Sequence, residues 1–241
     1  MSKLTRRGWM AAGLGVAGAA GAGLAASRAG LVPPITSPLY GAGETLTYAA
    51  QRLLTRHSLA REFPRSKIAA KPFANRSKTP NEEYERRQAG GFLDWRLEVD
   101  GMVANPLSLS LADVRGLKES SQITQLICEE GWSFVAEWTG TPVSALLELA
   151  EAAPQTRYVA CECIQEGWKD ALDMADALHP QTLVTYAMNG GDLPAMHGGP
   201  LRLRVPRQMG YKSLKYLTRL TVTDRMPESV GGGDYSWYAG M

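Results

Sequence analysis

Cysteine and histidine are scarce in this chain, three of each among 241 residues. Cys128, Cys161 and Cys163 form no CxxC or CxxCH, and no His/Cys pair stands at zinc-binding spacing. These absences disfavour structural zinc, c-type haem and a disulfide framework. Cys161 and Cys163 lie two apart on an expected strand, on one face, where neighbouring side chains are poorly placed to bridge. No His and Asp spacing supports a serine-type triad. GxxxxGK[ST] is missing, which argues against a nucleoside triphosphate. A basic excess is missing as well. Of 26 basic residues against 24 acidic, Lys3, Arg6, Arg7 and Arg28 precede the first acid, Glu44. The rest of the chain is slightly acidic, so no nucleic-acid partner is expected. There is no internal repeat. Strands and short helices mix without a βαβ rhythm, so an α+β fold is expected rather than a doubly wound sheet. The length fits one domain of moderate size with appendages.

The segment at residues 1–30 reads as a leader. Thr5-Arg6-Arg7-Gly8-Trp9-Met10 resembles the twin-arginine export signal, and Ala11 to Ala26 contains only Ala, Gly, Leu and Val. Such a segment is a targeting element to be kept out of fold reasoning. An ordinary secretory signal or a membrane anchor is the other reading. Arg28 spoils the cleavage site at Ser27-Arg28-Ala29, so an uncleaved leader would remain as an anchor. The expected destination is the periplasm, reached in the folded state through the twin-arginine export machinery. Residues 31–91 are expected to hold a Pro/Gly-rich linker, a helix over Glu44–Ala60 and a polar arm, Arg61–Gly91, that wraps the domain. The compact domain is expected over residues 92–225, followed by an aromatic tail, 226–241, carrying Tyr235, Trp237 and Tyr238.

Within the domain, strands are expected over Trp95–Gly101, Gln122–Ile127, Arg157–Ile164, Leu183–Met188, Leu201–Val205 and Leu217–Thr223. Short helices are expected over Leu111–Leu117, Pro142–Ala150 and Met174–Leu178. Cys128 ends the apolar run Ile123–Ile127, and Glu129-Glu130-Gly131 turns the chain there. A free cysteine is often only a small buried hydrophobe. Here Trp132 and Trp138 are expected to close over the thiol and exclude water. A thiolate in such a place is costly unless a cation stabilises it, and a soft metal is such a cation. Cys163 is expected to line the site and Cys161 to be structural.

The segment Gly199–Lys215 holds five basic residues around two short apolar stretches. Arg202 and Arg204 share one strand face, which the bland reading leaves solvated. Lys212, Ser213 and Lys215 follow the Gly210 turn, and with turn N–H groups they suit a phosphate. His57 is expected exposed, His179 to cap a helix, and His197 to sit on a glycine loop within reach of a ligand.

Cys128-Glu-Glu-Gly-Trp-Ser, Trp138-x-Gly-x-Pro142, Leu178-His-Pro180, Gly199-Pro-Leu-Arg-Leu-x-Val-Pro and Gly-Tyr-Lys-Ser-Leu-Lys215 together resemble the sulfite-oxidase-fold molybdopterin oxidoreductases. Within that superfamily the likeness is to the periplasmic protein-methionine-sulfoxide reductase catalytic subunits, over about Asn81 to Asp224. The resemblance implies a sulfite-oxidase-type molybdopterin-binding fold, α+β, with mixed β-sheets and short peripheral helices. It implies a molybdenum-molybdopterin cofactor with Cys128 as the catalytic metal ligand. Asn81, Tyr84 and Glu85 of the arm would fold over the cofactor. Cys163 replaces a threonine of the reductases, and His197 replaces their asparagine where sulfite oxidases carry histidine. Arg202 would meet the cofactor phosphate, and Ser213, Leu214 and Lys215 the pterin end. The implied reaction is two-electron oxygen-atom transfer. Sulfite oxidases have Asn-Arg after the cysteine, whereas this chain has two carboxylates that would repel sulfite, so a neutral sulfoxide substrate is expected. No haem domain is present, so a membrane b-type cytochrome is the expected electron partner, with Tyr235 to Tyr238 as a docking element. The alternatives are a sulfite dehydrogenase and a metal-free binding module that kept the fold.

Overall fold

The computed structural model describes residues 21–23, 25–27, 31–33, 41–55, 57–75, 79–165 and 167–227. The paired arginines of the leader and the aromatic tail from 228 onward lie outside the described residues. Two units divide the chain, residues 1–58 and 59–241. The first contributes helix α1 (Gly41–Thr55), in which the Arg52 guanidinium lies over the Tyr48 ring. Among the described residues no helix is long and apolar enough to cross a membrane.

The second unit is built on two sheets. One runs β2 (Leu107–Leu109), β1 (Leu97–Gly101), β10 (Leu217–Thr223), β5 (Tyr158–Cys163) and β6 (Lys169–Asp173). The other runs β3 (Ser120–Ile127), β4 (Ser133–Pro142), β7 (Leu183–Met188) and β8 (Gly191–Asp192), with β9 (Arg202–Arg204) also paired to β7. All these pairings are antiparallel except β1 with β10. The helices α2 (Glu82–Ala89), α3 (Leu111–Gly116), α4 (Val143–Leu149) and α5 (Met174–Ala177) are short. The architecture is α+β with mixed sheets, as expected.

Local chemistry explains the elements. On β3 the buried positions Gln122, Thr124 and Leu126 alternate with half-buried ones, the period-two signature of a strand with one face inward. The Ser110 hydroxyl accepts from the Asp113 N–H while the Asp113 carboxylate accepts from the Ser110 N–H, a reciprocal cap that starts α3. Pro142 stands immediately before α4, where its missing N–H costs nothing. The core gathers Trp95, Leu97, Val99, Leu146, Val159 and Leu220, all fully buried. Each such side chain contributes about 1.5–3 kcal/mol relative to exposure. Trp95 also satisfies its indole N–H on the Leu217 carbonyl at 3.1 Å.

Two expectations need correction. The arm is not irregular throughout: Asn81 caps α2 by accepting from the Tyr84 N–H at 2.9 Å, and Glu82, Glu83 and Glu85 occupy its first turn, where acids favour a helix. Only Tyr84 is buried on it, so no apolar period announces the helix. Likewise Trp138 is not carried over the thiol: Ser133 to Pro142 is a ten-residue strand paired along the whole of β3. Trp138 points inward on it, fully buried, and its indole N–H donates to the Thr124 carbonyl.

Gly140 lets β4 shift register against β7. A Cβ there would collide with the Val184 carbonyl oxygen and stand 2.6 Å from the Thr185 Cα. Backbone atoms cannot swing aside, so Gly140→Ala is expected to destabilise by about 3 kcal/mol or more. Urea unfolding of the variant beside wild type measures it.

Candidate active site

The β3–β4 hairpin turns at Cys128. Its N–H donates to the Trp132 carbonyl at 2.9 Å, and the Gly131 N–H, at positive φ, donates back to the Cys128 carbonyl at 3.1 Å. This turn delivers the thiol to a cavity of about 360 Å³. Its walls come from the hairpin (Cys128 to Glu130, Trp132, Phe134), His197, Arg202, Gly210, Tyr211 and Ser213 to Tyr216, the β5–β6 loop and Phe73 to Asn75 of the arm.

One end of the cavity is acidic. The Cys128 thiol donates toward the Glu129 carboxylate at 3.4 Å and the Glu130 carboxylate at 3.7 Å. Glu130 also accepts from the Trp132 indole N–H at 2.6 Å. Burial, and then the neighbouring carboxylates, push the Cys128 thiol up to about 12, against a Glu130 backbone N–H that favours the thiolate. The sulfur therefore keeps its proton near neutrality unless a cation takes that proton's place.

The other end is basic. Arg202 is almost fully buried, and its two Nη atoms donate to the His197 and Ser213 carbonyls, both at 2.7 Å. Lys215 Nζ donates to Asn75 Oδ1 and the Met196 carbonyl, both at 2.8 Å. Gly198, at φ +100°, makes room for that lysine, since a Cβ there would lie 2.7 Å from the Lys215 Cβ. Between the ends, His197 packs edge-on against Phe134, 5.5 Å between ring centres. Burial, then the charges of Arg202 and Lys215, pull its pKa down to about 4.

The structure thus brings Cys128, Cys163, His197, Arg202, Ser213, Leu214 and Lys215 to one cavity. It does not bring Asn81, Tyr84 and Glu85 to the lining. Asn81 Nδ2 donates to the Ile164 carbonyl at 2.9 Å, next to Cys163. The Tyr84 hydroxyl donates to the Gly199 carbonyl at 2.7 Å, and its ring packs against Tyr216, 4.9 Å between centres. These two brace the cavity walls from outside, whereas Glu85 is exposed and accepts from the Thr79 hydroxyl.

Three readings of neighbouring residues change. Trp138 does not close over the thiol. It lies in the core with the Arg202 and Arg204 guanidiniums each 5.3 Å from its ring centre. Those arginines form no solvated face, because all of β9 is buried. Lys212 is no part of a phosphate cradle: its Nζ is held by Asp170 at 2.6 Å and the Ala171 carbonyl at 2.9 Å. Sequence reasoning missed Phe73, Asn75, Gln165, Trp168 and Tyr211 in the lining. Aromatic residues among polar ones in the arm and in the β5–β6 loop were the only signal for Phe73 and Trp168.

Among the described residues, no group of three or more His, Cys, Asp or Glu could hold a metal. A metal carried on a bound organic group would bring its own further ligands to Cys128, and the buried Arg202 with Lys215 suits an anionic group. One soft donor beside an anion-binding end fits a metal carried by an anionic organic cofactor. Those donors suit a class of redox enzymes that carry their metal on an anionic organic cofactor.

The comparisons with known proteins carry this further. The family described as "Oxidoreductase molybdopterin binding domain" matches residues 85–230, and the chain belongs to that family. It is a molybdenum-dependent oxidoreductase with a molybdenum-molybdopterin cofactor. The chain is 36% identical over 188 residues to YedZ1 of Azospira oryzae, provisionally named a protein-methionine-sulfoxide reductase subunit, covering 76% of this chain and 69% of that one. It is 33% identical over 150 residues to the protein-methionine-sulfoxide reductase catalytic subunit MsrP of Xanthomonas campestris pv. campestris, covering 56% of this chain and 47% of that one. The chain therefore spans about half the length of that relative. The sulfane dehydrogenase SoxCD of Paracoccus pantotrophus shares the fold, with a TM-score of 0.55 at 24% identity over 57% of this chain and 40% of that chain.

The depressed His197 pKa sets a pH dependence. Protonation is easier in the unfolded chain, so this contribution to stability is full above about 6.5 and is lost as pH falls toward about 4. In the cofactor-free protein, His197→Gln is expected to lose less stability than wild type between pH 6.5 and 4. Urea midpoints across that range check it; parallel losses in both proteins would refute the assignment.

Proposed function

We propose that this enzyme reduces neutral S-oxides in the periplasm, taking electrons from a membrane b-type cytochrome. The observation that carries the reading is the pair of carboxylates beside the metal-ligating sulfur, Glu129 at 3.4 Å and Glu130 at 3.7 Å from Cys128 Sγ. At neutral pH they oppose the approach of an anion such as sulfite and leave an uncharged sulfoxide unopposed. The names of the reductase relatives support the same substrate class.

The balance is a sulfoxide plus two electrons and two protons, giving a sulfide and water. Bound at Cys128, the molybdenum-molybdopterin group supplies the two-electron oxygen-atom chemistry. The chain's own residues hold and shape the site. Cys128 is the metal ligand. Arg202, Ser213, Leu214 and Lys215 would hold the anionic end of the cofactor, and Cys163 and His197 line the same cavity. Asn81 and Tyr84 fix the walls through Ile164 and Gly199, and Glu85 fixes the entry to α2 through Thr79. Trp132, Phe134 and Phe73 exclude water on the side of the thiol. Export through the twin-arginine machinery delivers the loaded, folded enzyme, and the aromatic tail from Tyr235 to Tyr238 meets the cytochrome. Sulfite oxidation is the second reading, favoured by His197, which stands where sulfite oxidases carry histidine.

Cys128→Ser is expected to lose molybdenum and at least about 100-fold in methionine-sulfoxide reduction while keeping its circular dichroism spectrum. Full metal content and turnover in that variant would end the ligand assignment. Side-by-side assays with methionine sulfoxide and sulfite separate the two directions. Glu129→Gln with Glu130→Gln is expected to improve whatever weak use of sulfite exists. Saturable sulfite oxidation exceeding sulfoxide reduction in wild type would reverse the preference.

A further inference from the structure

We infer that Arg204, which occupies the unspecified position of Leu-Arg-Leu-x-Val-Pro, is a positioning residue for the anion end of the cavity. It turns the Ser213 hydroxyl into a dedicated donor and adds a second buried positive charge, so that the cofactor-free protein binds inorganic phosphate there. The inference rests on the assignment of Arg202 and Ser213 to the anionic end of the cofactor.

The geometry begins with Ser213, which is 2% exposed and lines the cavity. Its Oγ accepts from the Val205 N–H at 3.1 Å and from Arg204 Nη1 at 3.5 Å. A hydroxyl has two lone pairs and one proton. Both lone pairs are taken, and among the described residues the proton has no protein acceptor. A wall hydroxyl limited to donation is suited to an oxyanion and unsuited to a cation.

Arg204 supplies the charge behind it. The side chain is fully buried; Nη2 donates to the Gln125 carbonyl at 2.6 Å and the Thr124 hydroxyl at 3.2 Å, and Nε has no partner. Arg202 donates only to backbone carbonyls. Among the described residues neither guanidinium meets a carboxylate, and every acceptor is neutral. Two like charges thus share the Trp138 ring, each 5.3 Å from its centre, with no counter-ion among the described residues. An aromatic face offsets only part of such a charge. Burial lowers both, to about 10 for Arg202 and, with Arg202's repulsion added, to about 9 for Arg204, so both remain cationic near neutrality. Buried cations without a counter-ion are costly. The missing anion belongs in the cavity, where Arg202 and Ser213 face it and Lys215 stands beside it. A phosphate dianion matches two buried charges and a lone hydroxyl donor.

The test uses the full chain produced without molybdopterin, titrated with sodium phosphate by calorimetry and by thermal unfolding, with sodium chloride at equal ionic strength as control. Wild type is expected to bind phosphate saturably and to melt at higher temperature as phosphate rises. Arg204→Met is expected to bind at least roughly tenfold more weakly, Ser213→Ala similarly, and Arg204→Lys in between, since lysine keeps the charge and loses the fork. Arg115→Met, an exposed arginine paired with Asp192, is expected to bind as wild type. A folded Arg204→Met with wild-type phosphate affinity overturns the inference, and so does a wild type that phosphate stabilises no more than chloride. Should Arg204→Met fail to fold, Ser213→Ala and Arg204→Lys decide in its place, and wild-type affinity in both is the refuting result. Molybdenum analysis of the loaded wild type keeps the two readings apart. Wild type matured with the cofactor machinery that still contains no molybdenum, beside Arg204-dependent phosphate binding in the cofactor-free chain, refutes the cofactor role and leaves the phosphate site standing.

Discussion

Two buried guanidiniums draw the site together. Arg202 clamps the His197 loop to the Ser213 loop, and Arg204 clamps Ser213 to Gln125, three residues before Cys128. Both project from the three-residue strand β9, whose own pairing with β7 is short. The thiol and the anion end are therefore held at a set separation by charge-assisted hydrogen bonds to neutral oxygens, which are stronger than neutral pairs and tolerate burial poorly without an anion nearby. Trp138 occupies the space beneath, so the same ring that fills the core also softens the field of two cations.

The cavity is consequently polar along its length. Glu129 and Glu130 give the thiol end a negative field, Arg202 and Lys215 give the far end a positive one, and His197 between them is kept neutral by burial and by those cations. A single arrangement of charge thus separates two tasks. On the proposed function, the far end would retain an anionic cofactor, and the thiol end would screen what approaches the metal according to its charge.

Much of this was legible in the sequence, and the failures have physical reasons. Leu183–Met188 and Leu217–Thr223 are continuous apolar or alternating runs bounded by breakers, and their limits agree with β7 and β10. Cys128 was readable because the apolar run before it and the acidic turn after it mark a strand end. Strand β4 was missed because its aromatic residues drew a functional reading, while its evidence as a strand lay in pairing with β3, which a linear sequence does not display. Arg204 was read as lying on a solvated face and Lys212 as a phosphate ligand, and the fold buries both. Charged side chains are expected in water, and only the fold reveals that Trp138 and neutral oxygens receive the first and Asp170 the second. The arm reaches the cavity through Phe73 to Asn75, not through Asn81 to Glu85, because α2 docks on Gly199 and Ile164 from the outer side.

The parallel pairing of β1 with β10 places the last strand of the described fold between β1 and β5 at the centre of its sheet. A ribosome releases β1 more than a hundred residues before the partner that must cover its inner edge. Until Leu217 to Thr223 emerge, β1 with β2 and β5 with β6 are separate hairpins, each with an open edge. Completion of this sheet therefore waits on the emergence of β10, and a nascent chain stalled short of Leu217 would present unpaired edges to chaperones and to other chains.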